Sequence, residues 1–138
     1  MNDAAFSAAS IDLASVDGWH AECDVLIVGG GGAGISAAIE AADAGASVIV
    51  LEAASEAGGS TAMAGGLIYM GGGTPTQLAC GFEDDIEEMY NYLLQAAGPG
   101  ADPAKVRLYC DRTLEHYDWL TRQGVVFKPE YYPHKHTN

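Results

Sequence analysis

The stretch that decides the fold runs from Asp24 to Ser55, DVLIVGGGGAGISAAIEAADAGASVIVLEAAS. It opens on an apolar, β-branched run, Cys23 to Val28, whose two faces are equally apolar; this is the pattern of a strand covered on both sides by helices. Four consecutive glycines follow. Ala33 to Ala44 then reads as an alanine-rich helix with Ile35, Ala38, Ile39 and Ala42 on its inner face, closed by Gly45. Ser47 to Leu51 is a second apolar run. Strand, helix and strand in so short a span form a βαβ unit with parallel strands.

Gly29, Gly31 and Gly34 fit the spacing G-x-G-x-x-G, directly after a strand and at the opening of a helix. Gly29 allows the tight turn, Gly31 lets a pyrophosphate reach the main chain, and Gly34 lets the helix lie close on the sheet. The amides at the helix start, through Gly32 and Ala33, offer N–H groups and the positive end of the dipole to an anion. Glu52, followed by Ala53, ends the second strand, where a carboxylate accepts hydrogen bonds from ribose hydroxyls and repels a 2′-phosphate. NAD and FAD both satisfy that pattern.

Glycine makes up 18 of the 138 residues and is concentrated in Gly29–Gly34 and Gly58–Gly73. All six basic residues, from Lys105 onward, lie beyond position 100, so the glycine-rich half must hold any phosphate by backbone alone. A formal charge of −13 argues against nucleic acid or an anionic membrane surface as partner. No segment has the length of a membrane span or the form of a leader, and Cys23, Cys80 and Cys110 are too scattered for a disulfide framework or zinc site, which together suggest a reducing cytoplasm. No metal is expected: His134 and His136 alternate on a strand-like stretch with no third ligand in view.

Residues 53 to 77 read as loop, with a short strand at Leu67 to Met70. Two helices follow. The first carries Glu83, Asp84 and Asp85 in its opening turn and Ile86, Met89, Tyr90, Leu93, Leu94 and Ala97 on its inner face. The second opens with Asp102 as N-cap and Pro103 at N1, and runs to Gly124 with Val106, Tyr109, Cys110, Thr113, Leu114, Tyr117 and Leu120 inward. A strand is expected to begin at Val125 to Phe127.

The segment GGSTAMAGGLIYMGGGTPTQ, Gly58 to Gln77, resembles the flavin-binding segment of the fumarate reductase/succinate dehydrogenase flavoprotein superfamily, and within it the 3-ketosteroid dehydrogenases. EEMYNYLLQAAGPG, EHYDWLTRQGVVFK and YYPHK extend the resemblance, which covers about Val16 to Lys135. It implies an α/β Rossmann-like FAD-binding domain, of which residues 23–138 are the N-terminal part; the Ser-, Ala- and Asp-rich composition of residues 1–22 reads as a flexible arm before it. It also implies that Gly58, Gly59, Ser60, Thr61, Ala64, Gly65 and Gly66 line the flavin. Some members attach FAD through a histidine in this segment; none is present here, which points to non-covalent FAD.

By the same resemblance, Tyr131 and Tyr132 correspond to a tyrosine-bearing stretch near the active site of 3-ketosteroid Δ1-dehydrogenases, where tyrosines assist proton abstraction or polarise the ketone. Loop aromatics packing on the domain are the alternative reading of that pair. The implied activity is dehydrogenation or reduction of a carbon–carbon bond beside a ketone, such as a 3-ketosteroid. Two alternatives stand beside it: a fumarate reductase-like flavoprotein acting on a small dicarboxylate, and a truncated, non-catalytic remnant. The sequence carries no signal of oligomeric state.

Overall fold

The computed structural model describes residues 12–133. Residues 1–11 of the expected N-terminal arm, and His134 and His136, lie outside the described residues. The chain divides into two units, one running to Gly66 and the other beginning at Leu67.

The first unit holds the βαβ crossover. Strands β1 (Val25–Val28) and β2 (Val48–Leu51) pair in parallel, in register from Val25 opposite Val48 to Val28 opposite Leu51. Helix α1 (Gly32–Asp43) connects them and ends at Ala44 and Gly45, the latter at φ +89°, with the Gly45 N–H donating to the Ala42 carbonyl at 2.9 Å. The strands are stapled at their starts: the Asp24 carboxylate accepts from the Ser47 hydroxyl at 2.6 Å and from the Ser47 N–H at 2.8 Å, and these bonds hold its pKa below the ordinary aspartate value.

The helix reaches the sheet through Gly34, whose missing Cβ would sit 3.3 Å from Ile27 Cγ2. The half-buried apolar side chains along α1 are Ala38, Ile39 and Ala41, while Ile35 and Ala42 are exposed. The inward stripe is thus rotated from the expected one toward the glycine that permits the close approach. The other face of the sheet is open at three of its four side chains, with Ile49 half-buried beside them. Leu26, Val28 and Leu51 are 56, 82 and 51% exposed, so within the first unit only one side of the sheet carries a helix, where the apolar pattern predicts cover on two.

Past β2, a four-residue helix, α2 (Gly59–Ala62), interrupts the expected loop. The second unit is helical: α3 (Pro75–Ala79), α4 (Ile86–Ala97), α5 (Pro103–Asp111) and α6 (Thr113–Arg122). Its core is built on Met89, Cys110, Thr113 and Tyr117. Burial pushes the Cys110 thiol pKa up, as expected for an inert packing cysteine. Arg107 of α5 clamps α4 by donating to both carboxylate oxygens of Glu87, at 2.6 and 2.9 Å, with its guanidinium 3.7 Å above the Tyr90 ring.

Three sequence expectations change here. Leu67 to Met70 forms no strand, because the Tyr69 carbonyl is taken by the Tyr109 hydroxyl at 2.6 Å rather than by a neighbouring strand. The helix expected from Asp102 to Gly124 breaks at Arg112, whose ψ of 3° leaves the helical range just before the buried Thr113. Val125 to Phe127 is coil: the Val125 N–H closes the end of α6 on the Leu120 carbonyl at 3.0 Å, with Gly124 at φ +91°.

Candidate functional site

The first unit brings the two glycine segments together. β1 turns at Gly29, at φ +101°, and α1 starts with Gly31 as N-cap. No side chain caps α1, and its first turn holds no acid, so the amides of Gly32, Ala33 and Gly34 keep the dipole's positive end available to an anion. A Cβ at Gly31 would meet nothing within 4 Å. Open space over bare main chain is what a diphosphate needs in order to approach it.

The second segment docks beside this turn. The Gly58 N–H donates to the Gly30 carbonyl at 2.8 Å, and Gly31 and Gly58 form an isolated parallel bridge. Gly58 and Gly59 are at φ +131° and +51°, and a Cβ on Gly59 would lie 3.4 Å from the Gly31 Cα. Thr61, on α2, faces the start of α1: its hydroxyl would be 2.6 Å from a Cβ at Gly32. Ser60, also on α2, is exposed. Ala64, Gly65 and Gly66 are exposed too and continue past α2, Gly66 at φ +76°.

Glu52 closes the arrangement from the end of β2. Its Oε2 accepts from the Gly30 N–H at 2.7 Å and its Oε1 from the Ala54 N–H at 2.9 Å. Ala53, between them, is exposed. These amide bonds, that of Ala54 first and that of Gly30 second, hold the Glu52 pKa below the ordinary glutamate value. A carboxylate has about four acceptor positions, so Glu52 can hold the turn and still accept from a ribose diol. The donor set therefore fits an adenine dinucleotide: uncapped amides for the diphosphate, one carboxylate for the ribose, and no cation competing for either.

A pH prediction follows from that carboxylate. Because the folded pKa of Glu52 is lowered, its contribution is fully present above the ordinary glutamate value of 4.5 and is lost as pH falls through the folded value. Melting temperature and flavin affinity are expected to drop together on acidification across that window. Glu52→Gln should flatten this component, and a variant retaining the full wild-type slope would show that the carboxylate does not hold the turn.

Tyr131 and Tyr132 belong to the second unit. Both line a cavity of about 260 Å³ with Ile68, Met70, Phe82 and Phe127. Tyr131 packs on Phe82 with ring centroids 4.9 Å apart. The same cavity is bordered by Thr74, Thr76, Gln77, Cys80 and Tyr117, and includes Glu130 but, among the described residues, neither lysine nor arginine. The sequence reading missed this polar side. Thr74 caps α3 in a reciprocal capping box with Gln77, and Gln77 Oε1 accepts from the N–H groups of Gly73 at 3.2 Å and Thr74 at 3.0 Å. Gln77 Nε2 and the Gly72 N–H both donate to Asp84 Oδ2, at 2.7 and 2.8 Å. The signal was present as T-P-T-Q, Thr74 to Gln77, a cap residue followed three positions on by glutamine with proline at N1.

Among the described residues no group of three His, Cys, Asp or Glu is placed to hold a metal ion, and no helix is long and apolar enough to cross a membrane.

Comparison with known proteins bears on the first unit's chemistry directly. A family profile described as FAD binding domain matches residues 24–137. The 3-oxo-5-alpha-steroid 4-dehydrogenase of Comamonas testosteroni is 38% identical over 122 residues, covering 85% of this chain and 22% of that protein. A fumarate reductase (cytochrome) of Shewanella frigidimarina is 36% identical over 106 residues, covering 77% of this chain and 18% of that protein. The crystal structure of 3-ketosteroid-Δ4-(5α)-dehydrogenase from Rhodococcus jostii RHA1, in complex with 4-androstene-3,17-dione, superimposes with a TM-score of 0.73 at 53% identity, over 85% of this chain and 24% of that one. The chain thus spans about a fifth to a quarter of the length of these relatives. With a profile match over most of its length and a glycine turn suited to a dinucleotide, the chain belongs to the FAD-binding-domain family, and FAD is its cofactor.

Proposed function

We propose that the whole protein is an FAD-dependent oxidoreductase acting on a carbon–carbon bond beside a ketone, with a 3-ketosteroid as the substrate class. Residues 23–138 are read as the N-terminal part of its FAD-binding domain. The bound flavin supplies the two-electron acceptor or donor. The residues given to it are the Gly29–Gly34 turn for the diphosphate, Glu52 with Ala53 for the ribose, and Gly58–Thr61 with Ala64–Gly66 along the flavin. Gly58 to Gln77 contains no histidine, which supports a flavin held without a covalent bond.

The observation that carries the substrate class is the cavity lining of the second unit. Its walls are largely aromatic and aliphatic with a polar side at Thr74, Thr76 and Gln77, its titratable groups are three phenols, the Cys80 thiol and one carboxylate, and among the described residues no lysine or arginine lines it. A small dicarboxylate needs guanidinium clamps, and Glu130 would repel it. A flat apolar ketone needs apolar walls and one hydrogen-bond donor for its oxygen. A phenol of Tyr131 or Tyr132 can supply that donor, acidifying the carbon beside the carbonyl, or can take the proton as phenolate. Similarity to a steroid dehydrogenase solved with a steroid dione favours the same class.

The test is anaerobic. Purified whole protein should be yellow, release its flavin on acid precipitation, and bleach on mixing with a saturated 3-ketosteroid. Phenylalanine at whichever tyrosine serves the proton transfer should slow bleaching by about 10²-fold without changing flavin content. Reoxidation of the reduced protein by fumarate, with no bleaching by any ketosteroid, would move the assignment to the dicarboxylate class. A colourless protein would leave only the non-catalytic remnant.

A further inference from the structure

We propose that Tyr117 is a positioning residue, which, together with Thr76, fixes the coil carrying Tyr131 and Tyr132 against the cavity. The tyrosines follow the end of α6 at Gly124, in a segment with no helix or strand, so no ladder of backbone hydrogen bonds sets their placement and side-chain packing contributes to it. Phe127, midway along it, stacks on the Tyr117 ring with centroids 4.7 Å apart and planes at 24°. Further on, Tyr131 meets Phe82. The coil is thus pinned by rings at two points, and the first of them rests on Tyr117.

Tyr117 is itself immobilised. Its ring is buried, and its hydroxyl shares a hydrogen bond of 2.7 Å with the Thr76 hydroxyl. Its backbone carbonyl accepts from the Thr121 hydroxyl at 2.9 Å. Thr76 in turn sits on α3, whose first turn is locked by the Thr74–Gln77 capping box. A phenylalanine at 117 would offer the same stacking surface to Phe127. The hydroxyl adds a fixed azimuth for the ring, and a buried hydroxyl is tolerated because this bond satisfies it. The chain of fixation therefore runs from the α3 cap through Thr76 and Tyr117 to Phe127, and from there along five residues to Tyr132.

The catalytic consequence rests on the ketone reading; the positioning does not. The experiment uses whole protein labelled at tyrosine ring carbons, with the variants Tyr117→Leu, Tyr117→Phe, Thr76→Val and the Tyr117→Phe/Thr76→Val pair. Tyr117→Leu should shift or broaden the ring signals of both Tyr131 and Tyr132 and lower kcat by about 10²-fold at unchanged flavin content. Tyr117→Phe should return the signals most of the way and lower kcat by about tenfold or less, as loss of a single hydrogen bond predicts. Thr76→Val should match Tyr117→Phe, and the double variant should be no worse than either single one.

Unmoved Tyr131 and Tyr132 signals in folded Tyr117→Leu would overturn the inference. If that variant does not fold, the two milder variants decide: independent, additive effects on the ring signals would overturn it equally. Ring signals that move as described, in a wild-type protein that turns over no ketone, would uphold the positioning role and remove the ketone reading. Turnover of ketone with unmoved signals would do the reverse.

Discussion

Replacing Gly34 by alanine is expected to abolish flavin binding and to destabilise the first unit more than any other single methyl addition. A Cβ there would overlap the Gly29 carbonyl oxygen, and Ile27 Cγ2 lies 3.3 Å away on the sheet side. Neither obstacle is the free end of a flexible side chain. One is main chain in the turn itself, and the other is the strand face on which α1 rests. Relief requires moving α1 off the sheet or reshaping the turn, and overpacking of this kind costs about 1–3 kcal/mol or more. That is a large fraction of a small domain's stability.

Gly31→Ala separates scaffold from site. Its Cβ meets nothing within 4 Å, and Gly31 is at φ −76°, a conformation alanine adopts readily. The fold should be retained while the space for the diphosphate is filled. Thermal melts and flavin-to-protein ratios of both variants check this: loss of flavin with loss of melting temperature for Gly34→Ala, and loss of flavin alone for Gly31→Ala. Normal flavin content in both would show that the turn does not cradle the dinucleotide.

Gln77→Ala is the second large effect, and it falls in the other unit. The variant removes the acceptor of the Gly73 and Thr74 N–H groups and of the Thr74 hydroxyl, and it takes a donor from Asp84. Thr74 is only 3% exposed, so water cannot replace these bonds without rearrangement. Several buried or half-buried groups left unpaired at once cost about 2–4 kcal/mol, visible as a lower urea midpoint. Gln77→Glu gives a sharper signature. It keeps the acceptor but sets a second carboxyl against Asp84, so one of the pair binds a proton more tightly in the folded state than in the unfolded one. The pKa is raised, hence the deficit should be smallest at acidic pH and grow as pH rises through the folded value. A deficit independent of pH would mean that the Gln77–Asp84 bond is not made.

The dinucleotide half of the fold was legible because its information is local. The β-branched runs, the glycine spacing and Glu52 lie within one βαβ unit, and each residue's task is set by a neighbour in sequence or across a single strand pair. Asp102 was equally readable as an N-cap, since its carboxylate accepts from the Ala104 N–H at 3.0 Å. Asp85 was placed in the first turn of α4 and proves to be its cap, accepting from the Glu88 N–H at 2.8 Å.

What escaped is long-range. Asp84 looked like one more first-turn acid, yet it serves the amide of Gly72, twelve residues earlier. Thr76 and Tyr117, 41 residues apart, carry no mutual signature in the sequence. The strand expected at Leu67 to Met70 failed for a related reason: β-propensity without a pairing strand yields to a side-chain hydrogen bond. The bare sheet face could not be anticipated either, because an apolar pattern records the environment for which a strand is suited and not what lies beside it.

That bare face has a thermodynamic consequence for any affinity measured on this chain. The glycine turn proposed to hold the diphosphate leaves the sheet at Val28, the strand residue with its side chain most open to solvent. Two parallel strands under one helix form a marginal platform, so the turn is in its receptive shape only for the fraction of time the platform is formed. The apparent flavin dissociation constant is then the intrinsic one divided by that fraction. Whatever shields Leu26, Val28 and Leu51 thereby tightens flavin binding without touching the flavin, and bound flavin must by reciprocity favour the shielding.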